Sequence, residues 1–250
     1  MGLRAWWGAI WFRVSSFFIF PKELSIAVIG LQNSGKTTFT NLLGGKSFEA
    51  DTIPTLGIQI NRFSLGNSLL NVYDLAGQTR FQPLWERCFD KVDLIIYMID
   101  LSDLSCLADA FSKLRQVIRL SNTDRIPLVI IGNKIDLIKD PIDPMAHGEA
   151  TEKPQANFSL SKYIPDSMLT NYNFDDIETL KLDNSNLYRL KRIDILSKQI
   201  GIDVKNHILH VPSSTSDKEH ISLNADIAIF TSSCKNGDYI DEITSWITQL

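Results

Sequence analysis

The chain is poor in cysteine, in excess positive charge and in long apolar runs. It holds only three cysteines in 250 residues, Cys88, Cys106 and Cys234. Their number is odd and their spacing fits no metal motif, the pattern of reduced thiols in a cytosolic protein. Lys and Arg number 25 against 29 Asp and Glu, a formal net charge of -4. Binding to a phosphate backbone draws on a surplus of basic side chains, so no nucleic-acid partner is expected, nor a polybasic patch as the main membrane hook. Beyond residue 20 there is no run of about eighteen apolar residues, the length a spanning helix needs. No internal repeat is visible. What is present is ordinary globular material, 44% hydrophobic and 22% charged, enough for one large domain or one domain carrying insertions.

Four stretches differ in character. Residues 2–20 are apolar and aromatic, residues 24–138 alternate β-rich apolar runs with helical periodicity, residues 139–186 are polar and aperiodic, and residues 187–250 return to helix, strand and helix. Strands are expected at 24–29, 58–65, 69–74, 93–100, 127–132 and 226–231, with Gly66-Asn67 as a hairpin turn between the second and third. Helices are expected at 36–43, 108–120, 187–200 and 238–249, with a smaller loop at 212–219. Strands alternating with helices imply an α/β fold, a doubly wound, mostly parallel sheet whose ligands bind at the carboxyl ends of the strands.

The motifs fall at those ends. Gly30-Leu31-Gln32-Asn33-Ser34-Gly35-Lys36-Thr37 has the strand before it and the helix after it that a P-loop requires. Glycines let backbone N–H groups wrap a phosphate, and the helix N-terminus adds the positive end of its dipole. Lys36 can reach the β- and γ-phosphates, and the Thr37 hydroxyl can ligate Mg²⁺. In Asn133-Lys134-Ile135-Asp136 the carboxylate can accept two hydrogen bonds from guanine, which adenine does not offer. Asn133 would brace the loop and the Lys134 stem would lie along the base. Asp74-Leu75-Ala76-Gly77-Gln78 places Asp74 near the metal, the Gly77 amide toward the γ-phosphate, and Gln78 where it can orient the attacking water. In Ile53-Pro54-Thr55-Leu56-Gly57, Thr55 offers a second hydroxyl to Mg²⁺, reachable when a γ-phosphate draws the loop inward. Ser233-Cys234-Lys235, after the last strand, could meet the guanine oxygen through its backbone.

These five motifs in this order resemble the small GTPases, and within them the Arf and Arf-like family. The carriers are Gly30-Leu31-Gln32 running into Ser34-Gly35-Lys36-Thr37-Thr38, the Ile53-Pro54-Thr55 switch, and Arg80-Phe81-Gln82-Pro83-Leu84-Trp85-Glu86-Arg87. That last stretch, with residues 28–32 and Tyr97-Met98-Ile99-Asp100, looks most like the lysosomal Arf-like branch. The resemblance covers residues 20–138 and 187–250. It implies a P-loop GTPase that takes GTP and GDP with Mg²⁺. The implied phosphate contacts are Gln32, Asn33, Ser34, Gly35, Lys36, Thr37, Thr38, Thr55, Asp74 and Gly77. The implied base contacts are Asn133, Lys134, Asp136, Ser233, Cys234 and Lys235. Thr37, Thr55 and Asp74 would hold the metal, and Gln78, Lys36 and Gly77 would serve hydrolysis. Three departures stand out. Ala76 replaces one glycine of the usual switch pair, with Gly77 kept, Tyr73 replaces a tryptophan, and two aromatic effector positions are Ile58 and Cys88. Effector identity therefore does not carry over.

Residues 1–21 are expected to form an amphipathic membrane-binding helix, and residues 22–250 the GTPase domain. Leu3, Trp6, Trp7, Ile10, Trp11, Val14, Phe17 and Phe18 share one helical face, with Arg4, Arg13, Ser15 and Ser16 opposite, Phe12 as an exception, and Pro21 as the stop. Tryptophan suits the headgroup boundary. About 18 helical residues span roughly 27 Å, near the lower limit for crossing a bilayer, and Arg13 lies inside. Gly2 is followed by Trp6 where the myristoylation consensus asks for Ser or Thr, and the C-terminus has no cysteine for prenylation. The resemblance implies that this helix is released when GTP shifts the hairpin between the switches. The insertion at 139–186, with Pro141, Pro144, Pro154 and Pro165, reads as a mobile surface loop rather than a second domain.

The function expected is a slowly hydrolysing GTP switch in vesicle and protein transport, with lysosome or late-endosome positioning suggested by the branch. It would sit on the cytoplasmic face of endomembranes and be cytosolic with GDP bound. An exchange factor, an activating protein and effectors are the implied partners. No arginine finger is evident. One alternative is a membrane-anchored Arf-like scaffold such as a signal-recognition-particle receptor subunit, which a spanning N-terminus would favour. Another is a P-loop kinase or ATPase, against which Asp136 argues.

Overall fold

The computed structural model describes residues 21–50, 52–138, 193, 195–203, 208–211 and 219–250. The N-terminal helix expected over residues 1–21 and the insertion at 139–186 lie outside the described residues, apart from Pro21.

Six strands form the main sheet: β1 Lys22–Gly30, β2 Ile58–Leu65, β3 Ser68–Leu75, β4 Leu94–Asp100, β5 Leu128–Asn133 and, near the end of the chain, β9 Ile227–Thr231. Their order is β2-β3-β1-β4-β5-β9. Only the edge strand β2 is antiparallel, pairing β3 across Gly66-Asn67; the remaining pairings are parallel.

The alternation of side chains along each strand divides the core into two layers. Ile26 and Val28 join Leu94, Ile96, Met98, Val129 and Ile131 on one face. Ala27 and Ile29 join Ile95, Tyr97, Ile99, Leu128 and Ile130 on the other. Each face is covered by helices. Helix α1, Lys36–Leu43, and the last helix, α4, Ile240–Gln249, bury Phe39, Leu43, Ile243 and Ile247 on the first face. Helices α2, Pro83–Phe89, and α3, Leu107–Asp124, bury Trp85, Phe89, Phe111, Leu114 and Ile118 on the second. The spacing Phe111, Leu114, Ile118 is the three-and-four repeat of a helical stripe. Burial of Tyr97 is made tolerable by its hydroxyl, which donates to the Ala110 carbonyl at 2.9 Å. The expected doubly wound, mostly parallel sheet is the observed one.

Boundaries differ where a local contact overrides the pattern. Helix α3 runs past residue 120 to Asp124, where Arg125 takes a left-handed cap at φ 55°. Helix α4 starts at Ile240 rather than 238, because Asp238 is bridged to Ser233 and Tyr239 turns left-handed at φ 61°. Residues 195–200 are helical, as expected of that stretch. The chain after it is more than strand and helix. A small antiparallel sheet intervenes, formed by β6 Ile202–Asp203, β7 Ile208–Val211 and β8 Glu219–Ser222. Ile202 and Leu209, with Leu223 just after β8, carry it onto the second core face. Strands of two to four residues are too short to display an alternation. Glu219, expected in a loop, begins β8.

Candidate nucleotide site

All the motif-bearing loops lie at one end of the main sheet. Strand β1 ends at Gly30, the loop turns, and α1 begins at Lys36. Two glycines are required by close approach. At Gly30 a Cβ would collide with the Met98 carbonyl oxygen, and at Gly35 with the Asn133 side-chain amide; both have positive φ, 142° and 93°. The loop is thus pressed against β4 and β5 at the start of α1.

Lys36 is buried, and its ammonium donates to the Leu31 carbonyl at 2.6 Å and the Ser34 hydroxyl at 3.4 Å. Burial pulls its pKa down to about 8, against the opposing pull of Asp74. A neutral pair of acceptors holds this cation poorly, so an oxyanion entering here would be strongly favoured. Burial likewise pushes the Asp74 carboxyl above its ordinary range, opposed by hydrogen bonds from Thr37 and Thr55 and by the charge of Lys36.

Three oxygen-bearing side chains converge beside it. Thr37 Oγ1 donates to Asp74 Oδ2 at 2.6 Å, and Thr55 Oγ1 lies 2.9 Å from Thr37 Oγ1 and 3.4 Å from Asp74 Oδ2. The Thr55 loop is therefore already drawn in, and the Ala76 amide, donating to the Gly57 carbonyl at 2.9 Å, ties it to the segment after β3. Asp74 is fully buried, yet its Oδ1 has no hydrogen-bond partner among the described residues. An orphaned carboxylate oxygen beside two hydroxyls is a hard donor set of the kind Mg²⁺ takes, so the residues fit that ion. Gly77 packs against the P-loop, where a Cβ would fall 2.5 Å from the Gln32 nitrogen and 2.6 Å from the Gly30 oxygen. Gln78 Oε1 accepts from Arg80 Nε at 3.0 Å.

The other end of the cleft is cross-braced. Asn133, at the end of β5, donates through Nδ2 to the Ser34 carbonyl at 3.0 Å and accepts the Cys234 amide on Oδ1 at 3.1 Å. One side chain thereby fixes the P-loop, the Asn133–Asp136 loop and the segment after β9. Ser233 donates to Asp136 Oδ1 at 2.6 Å and accepts from the Asn236 amide at 3.1 Å. Lys134 adopts a left-handed backbone at φ 65°.

Between the two ends lies a cleft of about 510 Å³, within the ordinary range for a nucleotide-sized ligand. Most of the residues singled out from sequence line it, from Gln32, Asn33 and Gly35–Thr38 through Thr55, Gly77 and Gln78 to Asn133, Lys134, Asp136, Cys234 and Lys235. Ser34, Asp74 and Ser233 are buried beneath the lining and act on it through the contacts above. Sequence reasoning missed Phe48, Ala50 and Leu137, which also line the cleft. Phe48 and Ala50 sit in the connection after α1 with no periodicity to mark them. The half-exposed and exposed Phe48 and Leu137 are the only signal available, and it needs coordinates.

The sequence model of the ADP-ribosylation factor family matches residues 13–152, more than half of the chain. The chain belongs to the ADP-ribosylation factor family. It is 34% identical over 166 residues to ADP-ribosylation factor-like protein 8b of Arabidopsis thaliana, covering 64% of this chain and 88% of that protein. It is 36% identical over 136 residues to ADP-ribosylation factor-like protein 8c of the same plant, covering 54% and 72%. The Arf-like small GTPase expected from the motifs is what these similarities support. As a member of this family the chain is an enzyme that hydrolyses GTP to GDP and phosphate, and it works as a nucleotide switch. GTP and GDP with Mg²⁺ are the family's ligands, and exchange factors, activating proteins and effectors its partners.

Proposed function

We propose that this Arf-like protein is a membrane-recruited GTP switch of organelle traffic, with the roles of its site residues as follows. The P-loop amides of Gln32 to Thr38 and the Lys36 ammonium take the β- and γ-phosphates. Thr37, Thr55 and Asp74 hold Mg²⁺, which when bound supplies positive charge to the phosphate oxygens. Gln78 orients the attacking water, and the Gly77 amide faces the γ-phosphate. Asp136 reads the guanine edge, held in place by Ser233, while Cys234 and Lys235 present backbone to the guanine oxygen and Lys134 covers the ring. Catalysis at such a site is positioning and electrostatics. Unassisted turnover is expected on the order of 10⁻⁴ per second, with an activating protein adding several powers of ten.

The observation that carries this reading is the convergence of Thr37 and Thr55 on one oxygen of the Asp74 carboxylate whose other oxygen has no hydrogen-bond partner among the described residues. Thr55 and Gly77 belong to different loops, and both depend on the same small volume. Loss of a γ-phosphate would free both, so the output is a conformation rather than a product.

Residues 1–21 are proposed as the amphipathic membrane helix and residues 22–250 as the GTPase domain, with the insertion at 139–186 as an appended surface loop. The aromatic face of the first segment supports membrane recruitment. The likeness of residues 80–87 to the lysosomal Arf-like branch supports a place on lysosomes or late endosomes. The decisive experiment is nucleotide content after purification. Gln78→Leu should emerge loaded mostly with GTP and the parent mostly with GDP. Equal GDP content in both would refute the role given to Gln78. Imaging a tagged chain against organelle markers tests the compartment, and a diffuse signal for the GTP-loaded variant would count against membrane recruitment.

A further inference from the structure

Asp100 is the last residue of β4 and stands in register with Asn133, the last residue of β5. The Leu101 amide donates to the Asn133 carbonyl at 3.1 Å, tying the two strand ends together. Past that tie the chain folds back on the Asp100 carboxylate. The Ser102 amide and hydroxyl both donate to Oδ1, at 2.9 and 2.6 Å. The other oxygen, Oδ2, receives Lys134 Nζ at 2.7 Å, in a pair whose side chains are only 10% and 22% exposed.

A lysine stem has many rotamers to lose, and an exposed ion pair repays little of that loss. This pair is different. Its carboxylate is fixed in advance by two hydrogen bonds and largely withdrawn from water. Lys134 also carries a left-handed backbone that L residues rarely adopt, and it lines the cleft beside Asp136. Anchored at its tip, the chain of methylenes becomes a fixed surface rather than a mobile one.

We infer that Asp100 is a positioning residue for nucleotide binding, anchoring the Lys134 ammonium so that the lysine stem forms an apolar wall against the face of the bound base. The inference rests on reading Asn133 to Asp136 as the base site. The wall meets the face of the ring, so it is indifferent to the exocyclic group that Asp136 reads at the edge. The hydrogen bonds of Lys36 and Thr37 run to Leu31, Ser34, Thr55 and Asp74 and not to Lys134.

The test uses the full chain carrying Asp100→Asn, which keeps the side-chain shape and an acceptor for Ser102 but removes the charge. Labelled GDP should dissociate about tenfold faster in excess Mg²⁺, the loss of one well-fixed charged contact. Inosine diphosphate should lose the same factor. Competition by magnesium pyrophosphate, which has no base, should stay within about twofold of the parent. Lys134→Met keeps an unbranched stem and drops the ammonium, and in that background Asp100→Asn should add less than about twofold. If pyrophosphate weakens as much as GDP, Asp100 serves only general stability and the proposal is overturned. If Lys134→Met speeds GDP release and Asp100→Asn does not, the proposal fails and the base site stands. If neither variant alters release, the base-site reading itself fails.

Discussion

The two ends of the cleft are built differently. At the base end, Asn133 bonds both the P-loop and the segment after β9, Ser233 holds Asp136, and Asp100 holds Lys134. Four segments distant in sequence are locked together, and the anchoring atoms are mostly buried. At the phosphate end the grip comes from side chains on exposed loops. Thr55 reaches in from a loop whose neighbours Ile53 and Leu56 are 88% and 72% exposed, and the Gln78 side chain accepts an exposed hydrogen bond from Arg80. A rigid end suits reading an identity that does not change, and a loosely tethered end suits reporting a phosphate that comes and goes. In an ADP-ribosylation factor family member, nucleotide choice and switch state would then be separable by mutation.

The largest expected separation comes from Asp136→Asn. Removing the carboxylate leaves guanine donors facing a mismatched amide, and GDP affinity should fall by on the order of 10³ to 10⁴, read by competition titration. Loss of less than about tenfold would put base selection elsewhere. Gln78→Leu should do the reverse. Single-turnover GTP hydrolysis should fall by about 10² or more, while GDP affinity changes less than about threefold. A comparable loss of affinity would show that the two ends are not independent. Thr37→Asn should weaken GTP binding in the presence of Mg²⁺ by roughly 10 to 100-fold, one direct metal ligand being lost, and unchanged affinity would remove Thr37 from the metal site.

The smallest effect tests rigidity directly. Cys234 sits at the base end, and burial pushes its thiol up to about 12. At pH 8 about one molecule in ten thousand carries the thiolate there. Iodoacetamide should therefore modify the exposed Cys106 first, while Cys234 resists until the chain is denatured. Mass mapping of early Cys234 labelling in the native protein would mean that the brace opens.

Much of this was legible before any coordinates. The apolar runs at β1, β4 and β5 are buried on both faces, so their composition alone marks them, and loops that bind phosphate or base carry glycines and carboxylates at fixed offsets from a strand. The second sheet was not legible, because β6 and β7 bury Ile202 and Leu209 and β8 half-buries Ile221 one at a time on strands too short to show a period. Ser233 was expected to contribute backbone, whereas its hydroxyl grips Asp136. Asp100 stood in a quoted stretch with no role, since its link to Lys134 joins residues 34 positions apart and only strand register brings them together.

The central claim is that one cleft holds a triphosphate at its loose end and chooses guanine at its braced end. Competition of GDP, GTP and ATP against labelled GDP on the purified protein with Mg²⁺ tests it most directly. GDP and GTP should displace the label at stoichiometric concentrations and ATP should fail even at a thousandfold excess. Displacement by ATP at the same concentration as GTP, or no binding of labelled GDP at all, would contradict the account.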